Sequence, residues 1–341
     1  MKKIFVTGGA GFIGSEFVRL VLNENSDVEI VNFDALTYAG NLDNLAGIKD
    51  ARHKFVHGDI CTREAVLAAL PDEADAIFNF AAESHVDRSI HSADEFLRTN
   101  ILGTQILLDA AREKKVRRFV QISTDEVMGT LPDDDNAFFT ESSPIEPNSP
   151  YAASKASAEL IVRAARETFG VETVVTRCGN NYGPRQFPEK LIPLMISNAM
   201  RDEPLPIYGD GKNVRDWIYV EDHCRAIWMV YEKGKSGEAY NIGARNERYN
   251  LEVVTAILDA LGKPHSLIKY VTDRLGHDRR YAIDPTKIET EIGWKPQTNW
   301  EDGLQKTISW YQENQDWVKR ILSGDYRDYY QMQYGTEIVA A

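Results

Sequence analysis

The sequence predicts an α/β protein in which a doubly wound parallel sheet is followed by a smaller C-terminal α+β lobe. In the first half, apolar runs typical of strands alternate with helical patterns, as in repeated strand–helix–strand units. A glycine-rich turn joins the first predicted strand to the first predicted helix. After Gly183-Pro184, prolines and glycines interrupt the apolar runs. We therefore expect one lobe over residues 1–183 and a second, loop-rich lobe mainly over residues 184–341, and the pattern allows some segments of the second lobe to return to the first.

The predicted elements alternate regularly along the first lobe. We expect strands at residues 3–7, 28–33, 54–57, 76–81, 118–123 and 172–177. We expect helices between them at residues 12–22, 63–70, 95–114 and 151–169. In the second lobe the clearest helical patterns span residues 250–261 and 301–317. Because parallel strands end at one edge of their sheet, the residues that follow each strand are expected to form the ligand site.

Composition narrows the class of function. The chain has 341 residues and a formal net charge of -13, which disfavours binding to nucleic acid, since that needs clustered lysines and arginines. No apolar run approaches the roughly 20 residues of a membrane span. Cys61, Cys178 and Cys224 lie far apart and lack metal-ligand spacing, as is typical of a reducing compartment. We expect a cytoplasmic protein with no metal site.

Gly8, Gly11 and Gly14 form the turn between the first strand and its helix. This spacing permits a tight turn and close approach of a pyrophosphate to the helix N-terminus, so it predicts a Rossmann-like dinucleotide site. Asp34 ends the second strand, where a carboxylate bonds a ribose hydroxyl and repels a 2′-phosphate, which favours NAD over NADP. Asp59 lies either at the adenine edge or at the N-cap of the next helix. A glycine-rich turn without a ligand is the competing interpretation.

Two segments carry the candidate catalytic groups. Tyr151 and Lys155 stand four residues apart on one face of a helix, where an ammonium favours a phenolate near neutral pH. Thr124, Asp125 and Glu126 follow the fifth strand, at the edge where ligands bind. Two adjacent carboxylates suit acid–base chemistry because their repulsion keeps one of them protonated. A surface Tyr–Lys pair and a solvated turn are the structural alternatives.

The glycine turn, Thr124 and the Tyr151-x-x-x-Lys155 pair resemble the extended short-chain dehydrogenase/reductase family. Further segments resemble the nucleotide-sugar 4,6-dehydratases of that family, at residues 36–42, 81–89, 123–127, 180–184, 188–193, 215–217 and 276–284. The resemblance covers nearly the whole chain and implies that a nucleotide sugar, dTDP-glucose in the first place, loses water while NAD stays bound. It also implies a homodimer formed through helices 95–114 and 151–169.

The resemblance implies a role for each catalytic residue. Tyr151 removes the proton of O4, Thr124 shares a hydrogen bond with O4, and Lys155 stabilises the phenolate. Glu126 then acts as the base at C5, and Asp125 acts as the acid at the 6-hydroxyl group. This division of the acid and base roles comes from the resemblance, because spacing alone does not supply it.

Binding residues carry over from the resemblance by position. The implied cofactor-binding residues are Gly8, Gly11, Phe12, Ile13, Gly14, Asp34, Thr37, Asp59, Ile60, Ala81, Ala82, Ser84, Thr99, Tyr151, Lys155 and Asn181. The implied substrate-binding residues are Ser84, Thr124, Asn180, Lys190, Leu191, Pro206, Ile207, Tyr208, Arg215, Asn250, Arg274, His277 and Tyr281. Single contacts keep structural alternatives: Arg215 paired with Asp216 or Asp222, His277 bonded within its loop, and Tyr208 in the core.

The identity of the sugar and the final outcome of the reaction stay open. Met128 stands where the family usually has an aromatic residue. Either methionine fills the same space, or the pocket accepts another sugar such as UDP-N-acetylglucosamine. A nucleotide-sugar 4-epimerase or decarboxylase on the same scaffold is the runner-up, although an epimerase has no use for the paired carboxylates. A catalytically silent NAD-binding protein predicts loss of the Tyr–Lys pair, which is present.

Overall fold

A computed structural model describes residues 1–134 and 136–321 of the chain. The strands are β1 (Lys2–Thr7), β2 (Val28–Asp34), β3 (His53–His57), β4 (Ala76–Asn79), β5 (Phe119–Thr124), β6 (Thr173–Cys178), β7 (Asn180–Tyr182), β8 (Leu205–Tyr208), β9 (Val214–Tyr219), β10 (Ala239–Ile242), β11 (Glu247–Tyr249) and β12 (Ile268–Val271). The α-helices are α1 (Phe12–Glu24), α2 (Arg63–Ala69), α3 (Val86–His91), α4 (Asp94–Phe96), α5 (Thr104–Glu113), α6 (Pro150–Phe169), α7 (Leu191–Met200), α8 (Val220–Lys233), α9 (Asn250–Leu261), α10 (Trp300–Glu313) and α11 (Gln315–Ile321). A π-helical segment, Leu97–Gly103, joins α4 to α5.

Seven parallel strands form the main sheet, in the order β10-β6-β5-β4-β1-β2-β3. Helices α1 and α8 bury their apolar faces on one side of it, and α2, α5 and α6 bury theirs on the other. The prediction of a doubly wound parallel sheet is therefore confirmed. Strand order reverses between β1 and β4, which opens a crevice at their carboxyl ends.

The second lobe packs around a separate core. It contains a three-stranded sheet, β11-β9-β7, and a two-stranded sheet, β12-β8, with α7, α9 and α10 packed around a common apolar cluster. Helix α8 and strand β10 return to the main sheet. Among the described residues, no helix is long and apolar enough to cross a membrane.

Several features of residues 184–341 differ from the sequence prediction, and one of them is helix α8, which was not predicted. Helix α7 was not predicted, because Pro193 was interpreted as an interruption. Pro193 lies in the first turn of α7. Backbone N–H groups in the first turn have no acceptor within the helix, so a proline there costs no helical hydrogen bond. The single helix predicted at residues 301–317 is wrong, because α10 ends at Glu313 and α11 begins at Gln315. Between them Asn314 leaves the helical conformation.

Candidate active site

A cavity of about 340 Å³ lies at the carboxyl ends of the main-sheet strands, on the side of the β1–β4 crevice. Every residue predicted to bind the cofactor lines it, from Gly8 in the first turn to Asn181 in β7. Thr124, which ends β5, and the next two residues, Asp125 and Glu126, line the same cavity. The structure thus brings the whole predicted cofactor set and the whole predicted catalytic set to one place.

The glycine turn is packed too closely for side chains. A Cβ atom at Gly14 would lie 2.2 Å from the carbonyl oxygen of Gly8, and one at Gly8 would lie 2.6 Å from the nitrogen of Ala81. Gly8 also has a φ of +69°, which favours glycine. No side chain caps the first turn of α1, which begins at Phe12, so its N–H groups are available to a pyrophosphate. This geometry fits a dinucleotide.

Two carboxylates stand where the ribose and the adenine of such a ligand are expected. Asp34 accepts hydrogen bonds from the backbone nitrogens of Ala10 and Leu36, each at 2.8 Å. Its carboxylate on the cavity wall would repel a 2′-phosphate, which suits NAD. Asp59 also lines the cavity. It does not cap α2, as the alternative held, because Thr62 occupies that N-cap position.

Helix α6 places Tyr151 and Lys155 against the end of β5. Ser149 caps the helix by accepting a hydrogen bond from the nitrogen of Ala152 at 3.1 Å. Lys155 Nζ donates to the carbonyl oxygen of Ile122 in β5 at 2.7 Å. Both Tyr151 and Lys155 are buried, so the alternative of a surface pair is wrong. The two residues belong to the cavity wall.

The segment that ends β5 is a tight turn, in which Thr124 Oγ1 accepts a hydrogen bond from the nitrogen of Glu126 at 3.3 Å. The same hydroxyl donates to Asp125 Oδ1 at 3.2 Å. Asp125 is 2% exposed, and its Oδ2 has no hydrogen-bond partner among the described residues. The alternative of a solvated turn is therefore wrong. A buried carboxylate with an unbonded oxygen is a costly feature that structure alone does not require.

The two carboxylates sit in different electrostatic surroundings. Burial raises the pKa of Asp125 well above its usual range, and the neighbouring charge of Glu126 raises it further. Burial also raises the pKa of Glu126, but Arg274, Lys190 and Arg215 oppose this rise. Asp125 is consequently the carboxyl group that keeps its proton, and Glu126 is the one that ionises more readily. The pair can act as an acid beside a base.

The pKa of Tyr151 does not move in the direction expected of a lysine neighbour. Burial raises it well above the usual range, and the charge of Glu126 adds to that rise, whereas a hydrogen bond with Thr124 lowers it. Burial lowers the pKa of Lys155 to about 8. The lysine ammonium is bonded to the backbone of Ile122, and in the protein chain by itself the net shift of the Tyr151 pKa is upward. The lowering that Lys155 is expected to cause therefore stays a prediction for the complex with cofactor and substrate.

Residues predicted to bind the substrate are spread more widely. Ser84, Thr124, Asn180 and Lys190 line the main cavity. Tyr208 and Arg274 line a second cavity of about 210 Å³. The remaining predicted residues line neither cavity, namely Leu191, Pro206, Ile207, Arg215, Asn250, His277 and Tyr281.

Local contacts decide between the alternatives for three of these residues. Arg215 donates to the carbonyl oxygens of Val214 at 2.7 Å and Asp278 at 2.9 Å, and no ion pair joins it to Asp216 or Asp222 in the described part of the chain. Tyr208 is half-buried, packs against the apolar cluster of the second lobe and lines the second cavity, so the alternative of a core residue holds in part. His277 does bond within its loop, to Asp273 at 2.6 Å.

Glu189 belongs to the site, although no sequence pattern predicted it. It lines the cavity and is buried, with Oε2 3.3 Å from Nε of Arg88 and 3.9 Å from Nε2 of His85. Burial raises the pKa of Glu189 to about 7. The available signal was its position next to Lys190 in a segment already assigned to the substrate. Met128, in contrast, packs in a small apolar cluster with Phe139 and does not line the cavity.

The sequence and the fold of this chain are similar to those of known nucleotide-sugar enzymes. The sequence profile described as GDP-mannose 4,6 dehydratase matches residues 5–307. A dTDP-glucose 4,6-dehydratase from Shigella flexneri is 50% identical, over 97% of this chain and 99% of that protein. The crystal structure of a dTDP-glucose 4,6-dehydratase from Streptomyces venezuelae, with NAD bound, has a TM-score of 0.91 and 50% identity, over 94% of this chain and 99% of that one. A Thermus thermophilus UDP-glucose 4-epimerase in complex with NAD has a TM-score of 0.83 and 29% identity, over 92% of this chain and 99% of that one.

Proposed function

The chain belongs to the GDP-mannose 4,6 dehydratase family, and from that premise we propose that it is a hydro-lyase that converts dTDP-glucose to its 4-keto-6-deoxy derivative. The observation that carries this proposal is the buried Asp125 beside the half-buried Glu126, and the two share one cavity with Tyr151 and Lys155. Oxidation at C4 needs only the tyrosine and the lysine. An acid and a base beside them are needed only if water is eliminated.

NAD is the cofactor of the proposed reaction, and the chain's own residues fit it. Gly8 and Gly14 leave room for the pyrophosphate, and Asp34 is placed for a ribose hydroxyl. When bound, NAD accepts a hydride from C4 of the sugar and returns it at C6. Because the same cofactor molecule gives back what it takes, the cycle needs no external oxidant.

In the proposed first step, Tyr151 accepts the proton of the 4-hydroxyl group while Thr124 hydrogen-bonds the same oxygen. The phenolate that this requires is favoured by the ammonium of Lys155, which is mostly charged at neutral pH because its pKa is about 8. Thr124 is bonded to the backbone of its own turn, and Lys155 to the backbone of β5. Both side chains are thereby held in position before the substrate binds.

In the second step, the new ketone at C4 acidifies the proton on C5. Glu126, the carboxylate that neighbouring cations favour in its ionised form, removes that proton. Asp125, which burial and Glu126 keep protonated, donates its proton to the 6-hydroxyl group as water leaves. Once C6 has been reduced, Glu126 returns a proton to C5. Before the next cycle Tyr151 gives up the proton that it gained and Asp125 regains one, so the net change is the loss of one water molecule.

The nucleoside diphosphate is proposed to lie along the second lobe. Lys190 and Arg274 supply cations that attract the diphosphate, and both lower the pKa of Glu126. Arg215 adds a third cation, which is buried, with its guanidinium stacked 4.3 Å from the centre of the Tyr281 ring. Asn250 has a buried Oδ1 that lacks a hydrogen-bond partner among the described residues. That oxygen is suited to an N–H group of a base or a hydroxyl group of a sugar.

We also propose a homodimer, formed through α6 and the helical run that contains α5. Leu97, Leu102 and Leu160 are each about half exposed on these helices, and such outward-facing leucines are typical of subunit contacts. A cytoplasmic location is proposed because Cys61, Cys178 and Cys224 are all unpaired thiols, as expected in a reducing compartment.

The proposed function is tested by product analysis. The purified protein, without added NAD, is incubated separately with dTDP-glucose, UDP-glucose and UDP-N-acetylglucosamine, and the products are identified by mass spectrometry. We expect loss of one water from dTDP-glucose to be the fastest conversion. Faster water loss from a UDP-sugar would move the assignment to that substrate. Release of an isomer without water loss would overturn the dehydratase assignment in favour of a 4-epimerase.

A further inference from the structure

Asp87 connects the two lobes beside the proposed nucleotide site. It lies in the first turn of α3, in the first lobe, and is 5% exposed. Its Oδ2 accepts a hydrogen bond from the Tyr208 hydroxyl at 3.0 Å, and its Oδ1 lies 3.5 Å from Nη1 of Arg274. Tyr208 and Arg274 belong to the second lobe, and all three residues line the 210 Å³ cavity. One buried carboxylate therefore contacts two predicted substrate-binding side chains.

The contact between Asp87 and Arg274 leaves part of the Arg274 guanidinium group available to a ligand. Arg274 is largely buried, and its Nε has no hydrogen-bond partner among the described residues. An arginine that is bonded on one side by a carboxylate is fixed in orientation and presents its other N–H groups in a rigid fork. A buried donor without a partner is costly unless a ligand satisfies it, and a diphosphate oxygen would do so.

The contact with Tyr208 fixes an aromatic ring. The Tyr208 hydroxyl donates to Asp87, so rotation of the Tyr208 ring away from the cavity would break this hydrogen bond. The ring stands edge-on to His277, with the ring centres 6.0 Å apart. A ring held from two sides loses little further freedom when a nucleoside packs against it, so less of the binding free energy is spent on ordering.

We propose that Asp87 is a positioning residue, which holds Tyr208 and Arg274 ready for the nucleoside diphosphate part of the substrate; this rests on the proposed function. Asp87 acts through these two side chains and takes no part in the transfer of protons or hydride. Its removal should weaken substrate binding more than it slows the chemical steps.

A second contact between the lobes provides a matched control. Glu16 of α1 forms an ion pair with Arg185 at 3.2 Å, and neither residue lines either cavity. Glu16→Gln weakens the junction of the lobes without touching the proposed site. It therefore separates a general loss of interlobe contact from the specific role of Asp87.

The test compares Asp87→Ala, Asp87→Asn and Glu16→Gln with the unaltered enzyme. Binding of dTDP is measured by calorimetry, and kcat and KM are measured with dTDP-glucose. We expect Asp87→Ala to raise the Kd of dTDP and the KM by on the order of tenfold, as for loss of a hydrogen bond to a charged group. Asp87→Asn keeps an acceptor for Tyr208 and should recover about half of that loss on a logarithmic scale. In both variants kcat should change less than KM, and Glu16→Gln should change neither constant.

A double-mutant cycle with Tyr208→Phe keeps the proposal testable if Asp87→Ala is poorly folded. Tyr208→Phe removes the Tyr208 contact of Asp87, whereas Asp87→Asn keeps it and loses the charge beside Arg274. Tyr208→Phe alone should therefore weaken dTDP binding, and its loss should add to that of Asp87→Asn in the Kd of dTDP. Unchanged dTDP binding in folded Asp87 variants, or equal weakening by Glu16→Gln, would overturn the positioning role. Failure of the unaltered enzyme to dehydrate dTDP-glucose would instead overturn the proposed function, so the two failures are distinguishable.

Discussion

The two sides of the proposed site are held in place by different kinds of contact. In the first lobe, Thr124 bonds to the backbone of the turn that follows β5, and Lys155 bonds to the backbone of β5 itself. In the second lobe, Arg215 and Tyr208 depend on residues far away in the sequence, such as Asp278 and Asp87. A side chain bonded to the backbone at a central sheet is held rigidly. A side chain held by another loop or by the other lobe can move when that loop or lobe moves. We therefore expect changes in the first lobe to alter kcat and changes in the second to alter KM.

The largest effect is expected from Glu126→Gln, which removes the C5 base and keeps the shape of the side chain. Water loss should slow by on the order of a thousandfold, as is usual for a general base. Product formation is followed by mass spectrometry, and circular dichroism checks the fold. Glu64→Gln, at an exposed position of α2, serves as the control. Turnover close to that of the control would show that the carboxylate is not the base.

The next effect is expected from Lys155→Met, which removes the buried ammonium. We expect kcat to fall about a hundredfold, with a melting temperature at pH 7 no lower than before, because the variant no longer buries a charge. Lys54→Met, in an exposed part of β3, is the control. A large drop in melting temperature without a matching drop in kcat would assign Lys155 a purely structural role.

The pH dependence of the unaltered enzyme gives a second measure of Lys155. Burial lowers its pKa to about 8, so the ammonium is lost as the pH rises through that value and kcat should fall on the alkaline side. Between about pH 8 and the usual pKa of a lysine side chain, Lys155 is protonated in the unfolded chain but largely deprotonated in the folded one, so the unfolded chain binds more protons. This group therefore makes the free energy of unfolding rise with pH in that window. Lys155→Met should remove that part of the rise.

A moderate effect is expected in the second lobe from Arg215→Lys. Lysine cannot keep two carbonyl contacts and the stacking on Tyr281 together. The KM for dTDP-glucose should rise about tenfold with kcat nearly unchanged, as measured by steady-state kinetics beside Arg245→Lys at an exposed ion pair. A fall in kcat with constant KM would break the proposed division between the lobes.

The smallest effect is expected from Met128→Phe, which introduces an aromatic residue of the type that the resemblance leads us to expect at this position. Met128 packs against Val127 and Phe139, away from the cavity. The ratio of kcat/KM for dTDP-glucose to that for UDP-N-acetylglucosamine should change by less than about threefold, since only a pocket residue supplies larger discrimination. A larger change would show that this position influences the choice of sugar.

The difference between the two lobes also explains how much of the fold and of the candidate site was predictable from the sequence. The main sheet, the glycine turn and the β5 end were predicted because each depends on neighbouring residues in a regular pattern. Asp125 and Glu126 were recognised because two carboxylates follow a buried strand. Their unequal surroundings were not predictable, because they depend on Arg274 and Arg215 from distant parts of the chain.

The second lobe was harder to predict for a physical reason. Its candidate residues came from resemblance and not from local pattern, because its contacts join distant segments. The Tyr208–Asp87 bond spans 121 residues, and no periodicity signals it. Glu189 was missed because a lone glutamate after a proline is usually a surface residue. Only the tertiary structure shows that Arg88 and His85 surround it.

The central claim, that the β5 carboxylates turn an oxidation at C4 into a dehydration, is tested most directly by running the reaction in deuterium oxide. The product sugar is analysed by nuclear magnetic resonance. We predict a 4-keto-6-deoxy sugar that carries solvent deuterium at C5, formed by the unaltered enzyme and nearly absent with Glu126→Gln. A sugar released with its 6-hydroxyl group intact and no deuterium at C5 would contradict the account.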